Sequence, residues 1–461
     1  MSESGRAAEV VTIATDSQLL SHIRDHVDER MAELAHFCTI PSIAADRPAV
    51  HDCVTLVRQL LERRGFAVDV VPTAGNPAII ATLGEGERTL LLYNHYDVQP
   101  ADPIDAWESP PFQPTRRNGS LYARGAIDDK GEIVARLAAI DALLARYGKL
   151  PFKLTLLVEG EEEIGSNNLE PLLQQQRDRL AAAACIWEAG SSDHRGRPEI
   201  WLGVRGELYV ELTAKTLNRD AHSGSAHILP NAAWRLIRAL VSLKDESERI
   251  LIPGFYDDVK GPSPSQQALL ERLDLEEEFG REYGVATFTA GRKGLELAAA
   301  VFQPTCNICG IWAGYINEGT KTVIPATAAA KLDFRLVPDQ DPGRLEAALR
   351  AYLEARGFGD LTVYVHSAQR AAASDPNDPF VQLAIASARD AYGCEPVVYP
   401  LIGGTGPAEL FNRHLGVPFV SLGCAYPGSR KHAPNEHIRI EDFVRGSFCI
   451  ATLMERFAKA A

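Results

Sequence analysis

The residues best able to do chemistry stand where apolar runs stop. In "LLLYNHYDVQP", 90–100, a stretch that reads as a buried strand finishes on His95 and Asp97. The two-residue period of a strand points both side chains the same way, so the carboxylate can stand behind the imidazole, fix its tautomer and make it a better metal ligand. "RGAIDDKGE" sets Asp128 and Asp129 just ahead of a helix, where an ordinary N-cap accounts for one aspartate but not two. "VEGEEEIGS" ends a core strand on Glu159, Glu161, Glu162 and Glu163, a repulsion that is costly there unless a cation offsets it. Glu188 closes the apolar run of "CIWEAG", and "SRKHAPNEH" adds His432 and His437 on a loop. Each alone has a bland reading: a hydrogen-bonded pair, a cap, a solvated loop, a surface histidine. Together, one His, one Asp, two Glu and a further His at strand ends make a nitrogen and oxygen donor set suited to zinc or a similar transition metal.

Open parallel sheets gather ligands beyond the carboxyl ends of their strands, so the next question is which elements deliver these residues. Over the first 200 residues, helix patterns ("LLSHIRDHVDERMAELAHFC", "KGEIVARLAAIDALLARYG") alternate with strand patterns ("TLLLYNHYDV", "FKLTLLVEG", "AACIWEAG"). That predicts an α/β layer sandwich with a mainly parallel sheet. In the second helix Ile133, Leu137, Ile140 and Leu144 form one apolar stripe to lie on it. From about Gly206 the pattern changes: "GELYVELTAK", "AAAKLDFRLVP" and "LTVYVHS" read as strands, "NAAWRLIRALVSL" and "GRLEAALRAYLEARG" as helices. The order suggests a ferredoxin-like α+β insert, within which "DVKGPSPSQ" reads as loop. After about Asp375 the first style returns. The expected architecture is a catalytic domain, 1–205 and 373–461, interrupted by a smaller domain, 206–372.

Composition narrows the class. The 461 residues exceed one ordinary core, which favours two domains. With 46% hydrophobic and 23% charged residues the chain is globular, and a net charge of -14 with no basic cluster excludes nucleic acid and anionic membrane as partners. No apolar run approaches the roughly 18 residues that span a bilayer. Eight cysteines lie scattered, and "MSESGRAAEVVTIATDSQ" does not read as a signal peptide, which points to reduced thiols in the cytosol. The one CxxC, Cys306 and Cys309 in "PTCNICG", has no second ligand pair nearby and reads as two thiols in a strand or turn.

"YNHYDVQP", "WESPPF", "GSLYARGAIDDKG", "VEGEEEIGS", "EGTKTVIP", "DFRLVP" and "HAPNEH", in this order, resemble the di-zinc metallopeptidase family that includes carnosine and other dipeptidases, carboxypeptidase G, aminoacylase and succinyl-diaminopimelate desuccinylase. The likeness runs over nearly the whole chain, with "HYDVQP" and "GTKTVIP" closest to the dipeptidases. It implies a zinc-peptidase-like α/β/α sandwich with a lid and dimerisation domain, and two divalent metal ions, zinc in the first place, manganese or cobalt otherwise. It implies His95 and Glu188 on one metal, Glu163 and His432 on the other, and Asp128 bridging both, across a cis peptide to Asp129. Asp97 would orient His95, and Glu162 would be the general base that takes a proton from the attacking water. In "AKLDFRL" Arg335 alternates away from the apolar side, and the resemblance makes it the clamp for a substrate carboxylate. His222 would reach the site of a partner subunit, so a homodimer is implied, and Gly403, Gly404 and Thr405 of "LIGGTGP" would offer donors to the same carboxylate. Glu188 stands where dipeptidases of the family place aspartate, and Leu401 and Ile402 stand where they show Arg-Glu. The expected activity is hydrolysis of a dipeptide or short peptide, with an N-acyl-amino-acid hydrolase as the alternative and a non-catalytic family member as a third reading.

Overall fold

The computed structural model describes residues 18–460, so the opening stretch read above for a signal peptide lies, apart from Gln18, outside the described residues. Two compact units emerge, one of the residues up to Leu202 with Ser374–Tyr399 and the segment from Leu410 onward, the other of Gly203–Ala373 with Pro400–Glu409. Pro400–Glu409, grouped by sequence with the closing segment, follows the second unit instead. Backbone bonds tie it there: Ile402 N–H donates to the Gly203 carbonyl at 2.9 Å and Arg205 N–H to that of Gly404 at 2.8 Å.

The first unit is built on a mixed sheet. Its centre runs Lys153–Glu159, Thr89–His95, Ala184–Trp187, Phe419–Ser421, all parallel. Ala78–Leu83 and Ala67–Val71 extend one side in antiparallel pairing. Leu90, Leu91, Leu92 and Tyr93 are wholly buried, which is why this segment shows an apolar run rather than alternation. Helix Lys130–Tyr147 was expected to bury one stripe, yet Ala135, Arg136, Ala138 and Ala139 are buried beside Ile133, Leu137 and Ile140. The sheet lies on one side of it, and helices Gln18–Asp25, Val27–Cys38 and Ile440–Lys459 cover the rest. The "LLSHIRDHVDERMAELAHFC" helix is two, broken at His26.

Arg136 on that helix is completely buried. Its Nη1 donates to the Tyr93 carbonyl and its Nη2 to the Trp187 carbonyl, both at 2.8 Å. One guanidinium therefore clasps two neighbouring parallel strands just before they deliver His95 and Glu188.

The second unit carries a four-stranded antiparallel sheet ordered Thr305–Ala313, Thr327–Leu336, Gly206–Lys215, Thr362–Gln369. With helices Ala232–Ser242 and Pro342–Ala355 this is the ferredoxin-like βαββαβ order. Leu208, Val210, Leu212, Leu332, Phe334 and Leu336 face Leu236, Leu240, Leu345 and Leu349 in its core. The CxxC lies on the edge strand, where the register shifts between Ile308 and Gly310, and all eight cysteines are free. The loop reading of "DVKGPSPSQ" fails at its end: Ser263 and Gln266 form a reciprocal capping box that opens helix Pro264–Leu270. Among the described residues no helix is long and apolar enough to cross a membrane.

Arg136→Met should keep the fold but leave two buried carbonyls without a donor, lowering unfolding free energy by roughly 3 kcal/mol in a denaturant titration.

Candidate metal centre

The parallel pairing of Thr89–His95 with Lys153–Glu159 matches His95 with Glu159, so the "EEE" loop emerges beside the His95 strand end. Asp97 then joins the two. Its carboxylate accepts from Glu162 N–H at 3.2 Å and Glu163 N–H at 3.0 Å, while His95 Nδ1 lies 3.1 Å from its carbonyl oxygen and 3.4 Å from Oδ1. Asp97 thus contacts the imidazole and in addition pins the glutamate loop. Gly160 permits that loop's path, since a Cβ there would stand 2.2 Å from the Tyr96 ring.

The four glutamates divide the work. Glu159 accepts from Tyr93 OH at 2.6 Å and Ser166 Oγ at 2.8 Å, and burial pushes its carboxyl up to about 7. Glu161 accepts from Asn168 Nδ2 at 2.6 Å and Asn76 N–H at 3.1 Å. Only Glu162 and Glu163 turn to the centre.

Asp128 and Asp129 are joined by a cis peptide bond. Asp129 sits at the N-cap position of its helix without a capping hydrogen bond, so the cap reading does not hold. Its Oδ2 instead accepts from Asn94 Nδ2 at 2.6 Å and His95 N–H at 3.1 Å. Asp128 is the shared member: Oδ1 lies 3.2 Å from His95 Nε2 and Oδ2 lies 3.0 Å from His432 Nε2. Glu188 Oε2 is 3.5 Å from His95 Nε2, and Glu163 Oε2 is 3.2 Å from His432 Nε2. His95, Glu162 and Glu188 form one group with donor atoms within 4.8 Å of one another, and Asp128, Glu163 and His432 form another. His432 holds a left-handed backbone, φ 57°, an unusual conformation for this residue type and one retained where the surroundings enforce it.

Charge is the dominant feature. Burial raises Glu188 well above the usual carboxylate range, with Glu162 adding to it. Burial likewise pushes Glu162 up to about 8, with Glu163, Asp128 and Asp97 contributing and His95 opposing. The Asp128 and Glu163 carboxylates raise His432 to about 10, and although burial opposes it, Glu188, Asp128 and Asp97 raise His95 as well. Protein groups alone balance this cluster only by keeping imidazoles charged and carboxyls protonated. Glu163 Oε1 and Glu188 Oε2 are buried without a hydrogen-bond partner. Two glutamates, each beside an imidazole and each with one buried oxygen left unpartnered, arranged about a shared aspartate, fit two divalent cations.

Several contributors carried no signal in the sequence. Gln99 Nε2 donates to Glu163 Oε2 at 2.9 Å. Glu436, wholly buried, accepts from the N–H groups of Ile127 and Asp128 and from Arg124, holding the Asp128 turn from 308 residues away. The quoted "PNEH" contains Glu436, but only its pairing with Arg124 would have singled it out. His437 lies elsewhere: Nε2 is 2.6 Å from Tyr426 OH and Nδ1 meets the Asn435 carbonyl, so it is structural.

The remaining candidates belong to the second unit. Arg335 contacts Asp333, Glu207 and Thr405. Gly403 and Gly404 are exposed. His222 is exposed, and its Nδ1 accepts from Gly224 N–H at 2.9 Å, which leaves the proton of the neutral ring on Nε2.

Residues 91–456 match the family model described as peptidase family M20/M25/M40. The chain is 28% identical to the Beta-Ala-His dipeptidase of Rattus norvegicus over 96% of each chain, and 27% identical to a Cys-Gly metallodipeptidase of Candida albicans over 91% of this chain and 93% of that one. Its fold is similar to that of an M20 family metallo-carboxypeptidase from Sulfolobus solfataricus, with TM-score 0.88 and 37% identity over 94% of this chain and 100% of the other.

Elemental analysis of protein purified with added divalent metal should give two ions per chain. Chelation should lower the melting temperature, because a ligand that binds only the folded state contributes about 4 kcal/mol at a thousandfold excess over its Kd. In Asp128→Ala, which lacks the shared carboxylate, chelator should leave the melting temperature where it was.

Proposed function

This chain belongs to peptidase family M20/M25/M40, and on that premise we propose that it is a metal-dependent dipeptidase cutting the amide bond next to a free C-terminal carboxylate. The carrying observation is the shared Asp128, with an imidazole on each carboxylate oxygen and a glutamate beside each imidazole, each glutamate keeping one buried oxygen without a hydrogen-bond partner. The named activities of the relatives, dipeptidase and carboxypeptidase, have in common a substrate ending in a carboxylate one residue beyond the scissile bond.

His95 and Glu188 hold one divalent cation, Glu163 and His432 the other, and Asp128 both, with zinc as the first choice on this ligand chemistry. Bound there, the pair supplies Lewis-acid activation of water and of the scissile carbonyl. Glu162 is the general base: its carboxylate takes the proton of the attacking water and returns it to the departing amine. It suits that task because Asp97 fixes its backbone and because its neighbour Glu163, not Glu162, is the one engaged by Gln99 and His432. Burial among carboxylates also makes it a better proton acceptor than an exposed glutamate.

Arg335 receives the substrate's C-terminal carboxylate, with Thr405 and the Gly403–Gly404 backbone as further donors. His222, carrying its proton on Nε2, polarises the scissile carbonyl of a partner subunit, which makes the working form a homodimer. Apolar side chains exposed on the second unit supply a surface for that association: Trp234, Ile237 and Val241 along one helix, and Ile308, Ile311 and Trp312 on the edge strand. Eight unpaired thiols favour a reducing, cytosolic setting. The N-acyl-amino-acid hydrolase reading is supported by two departures: Glu188 where dipeptidases of the family place aspartate, and Ile402 in place of an acidic residue that would meet a substrate ammonium.

Glu162→Gln should retain both metal ions while kcat falls by about a thousandfold, within the range for loss of a general base; undiminished turnover would remove Glu162 from that role. On the wild type, a free-amine dipeptide should be cleaved faster than its N-acetylated form, and the reverse order would favour the acylase reading. Mixing inactive Glu162→Gln chains with inactive His222→Ala chains, followed by subunit exchange, should restore part of the activity, since some hybrid sites then have both residues. Absence of any recovery in a mixture shown to contain hybrid dimers would mean that His222 does not serve the partner subunit's site.

A further inference from the structure

Arg335 lies on strand Thr327–Leu336, and the pairing with Gly206–Lys215 sets Glu207 directly opposite it. Its Nε donates to Asp333 Oδ2 at 2.9 Å, its Nη2 lies 3.1 Å from Glu207 Oε1, and its Nη1 donates to Thr405 Oγ1 at 2.5 Å. A guanidinium has five N–H groups in a rigid plane, so with Nε and one N–H of Nη1 engaged in hydrogen bonds and Nη2 paired with Glu207 by charge, both Nη atoms keep an N–H free for a further anion. The holders are themselves held. Ser367 hydroxyl donates to Glu207 Oε2, and Arg205 donates to the Arg335 carbonyl at 2.9 Å and the Gln303 carbonyl at 2.6 Å.

Asp333 is buried, and its Oδ1 has no hydrogen-bond partner. A buried carboxylate with one oxygen unsatisfied is destabilising, and an apolar or hydroxyl side chain would serve the sheet better at this position. What Asp333 does that such a residue could not is grip Nε. Two carboxylates on one guanidinium also reduce its attraction for any further anion, which is the opposite of what a site tuned for charge alone would arrange.

We propose that Glu207 and Asp333 are positioning residues for Arg335, holding the plane of its guanidinium so that the free N–H groups of its two Nη atoms form a fixed fork for the substrate's carboxylate. The fork is specified by geometry, at some cost in raw electrostatic attraction. The inference rests on the reading of Arg335 as the carboxylate clamp, and the two can fail separately.

The test is steady-state kinetics on a dipeptide with Glu207→Ala, Asp333→Ala, Arg335→Ala and Asp333→Asn, metal content and melting temperature being recorded for each. Positioning predicts a rise in KM of about tenfold for Glu207→Ala and Asp333→Ala, the effect of losing one ion-pair or hydrogen-bond contact to a charged group, with kcat changed less. Electrostatics alone predicts the opposite sign, a fall in KM, because each variant removes a negative charge near an anion. Asp333→Asn, which keeps an acceptor for Nε, should recover part of the loss, and its isosteric shape keeps the measurement available should the alanine variant not fold. In an Arg335→Ala background Asp333→Ala should add nothing further, whereas a residue with only a structural role would add its own effect. If Arg335→Ala raises KM while the Glu207 and Asp333 variants leave it unchanged or lower it, the positioning role is wrong and the clamp stands. If Arg335→Ala leaves KM unchanged, the clamp itself is wrong.

Discussion

The constraint on which the rest of the first unit depends is the crowding of carboxylates at the ends of buried parallel strands. Asp97, Asp128, Asp129, Glu162, Glu163 and Glu188 converge around the buried His95 and the more exposed His432. Without compensation such a cluster opposes folding, and the raised carboxyls of Glu162 and Glu188 express that opposition. Two divalent cations offset that repulsion, since their positive charge compensates the carboxylates crowded around them.

Much of the surrounding structure serves to keep those oxygens in place despite their repulsion. Arg136 fixes the spacing of the strands that end in His95 and Glu188. Asp97 ties the His95 strand end to the backbone of Glu162 and Glu163. Glu436 and Asp129 secure the turn that presents Asp128. In each case a buried charge is spent on backbone N–H or C=O groups, which explains why so many ionisable residues here are wholly enclosed without being ligands. Adjacent Glu162 and Glu163 each have the backbone held by Asp97, which leaves their side chains to meet different partners.

Most of the fold was legible. The shift from runs of buried strand to alternating strand near Gly206 marks a change from a sheet covered on both faces to one covered on one, and the βαββαβ order follows the sequence pattern closely. The misses have local causes. Helix Lys130–Tyr147 showed one stripe because alanines, small and apolar, do not stand out in a periodicity count, yet they are the residues that let three helices approach. The Ser263 capping box was obscured by the prolines around it. Pro400–Glu409 was assigned by its neighbours in sequence, whereas its backbone bonds go to Gly203 and Arg205.

The candidate centre divides in the same way. The sequence by itself determined which residue types end which strands and, through seven ordered motifs, the family, since strand periodicity and motif spacing are local properties of the chain. Only the tertiary structure decided that Asp97 also braces the glutamate loop, that Asp129 is no cap, that Glu436 belongs to the site and His437 does not, and that Arg335 is gripped by two carboxylates. Nearly all of these join residues far apart in the chain, where strand order and register, not local pattern, bring a given donor within about 3 Å of a given acceptor.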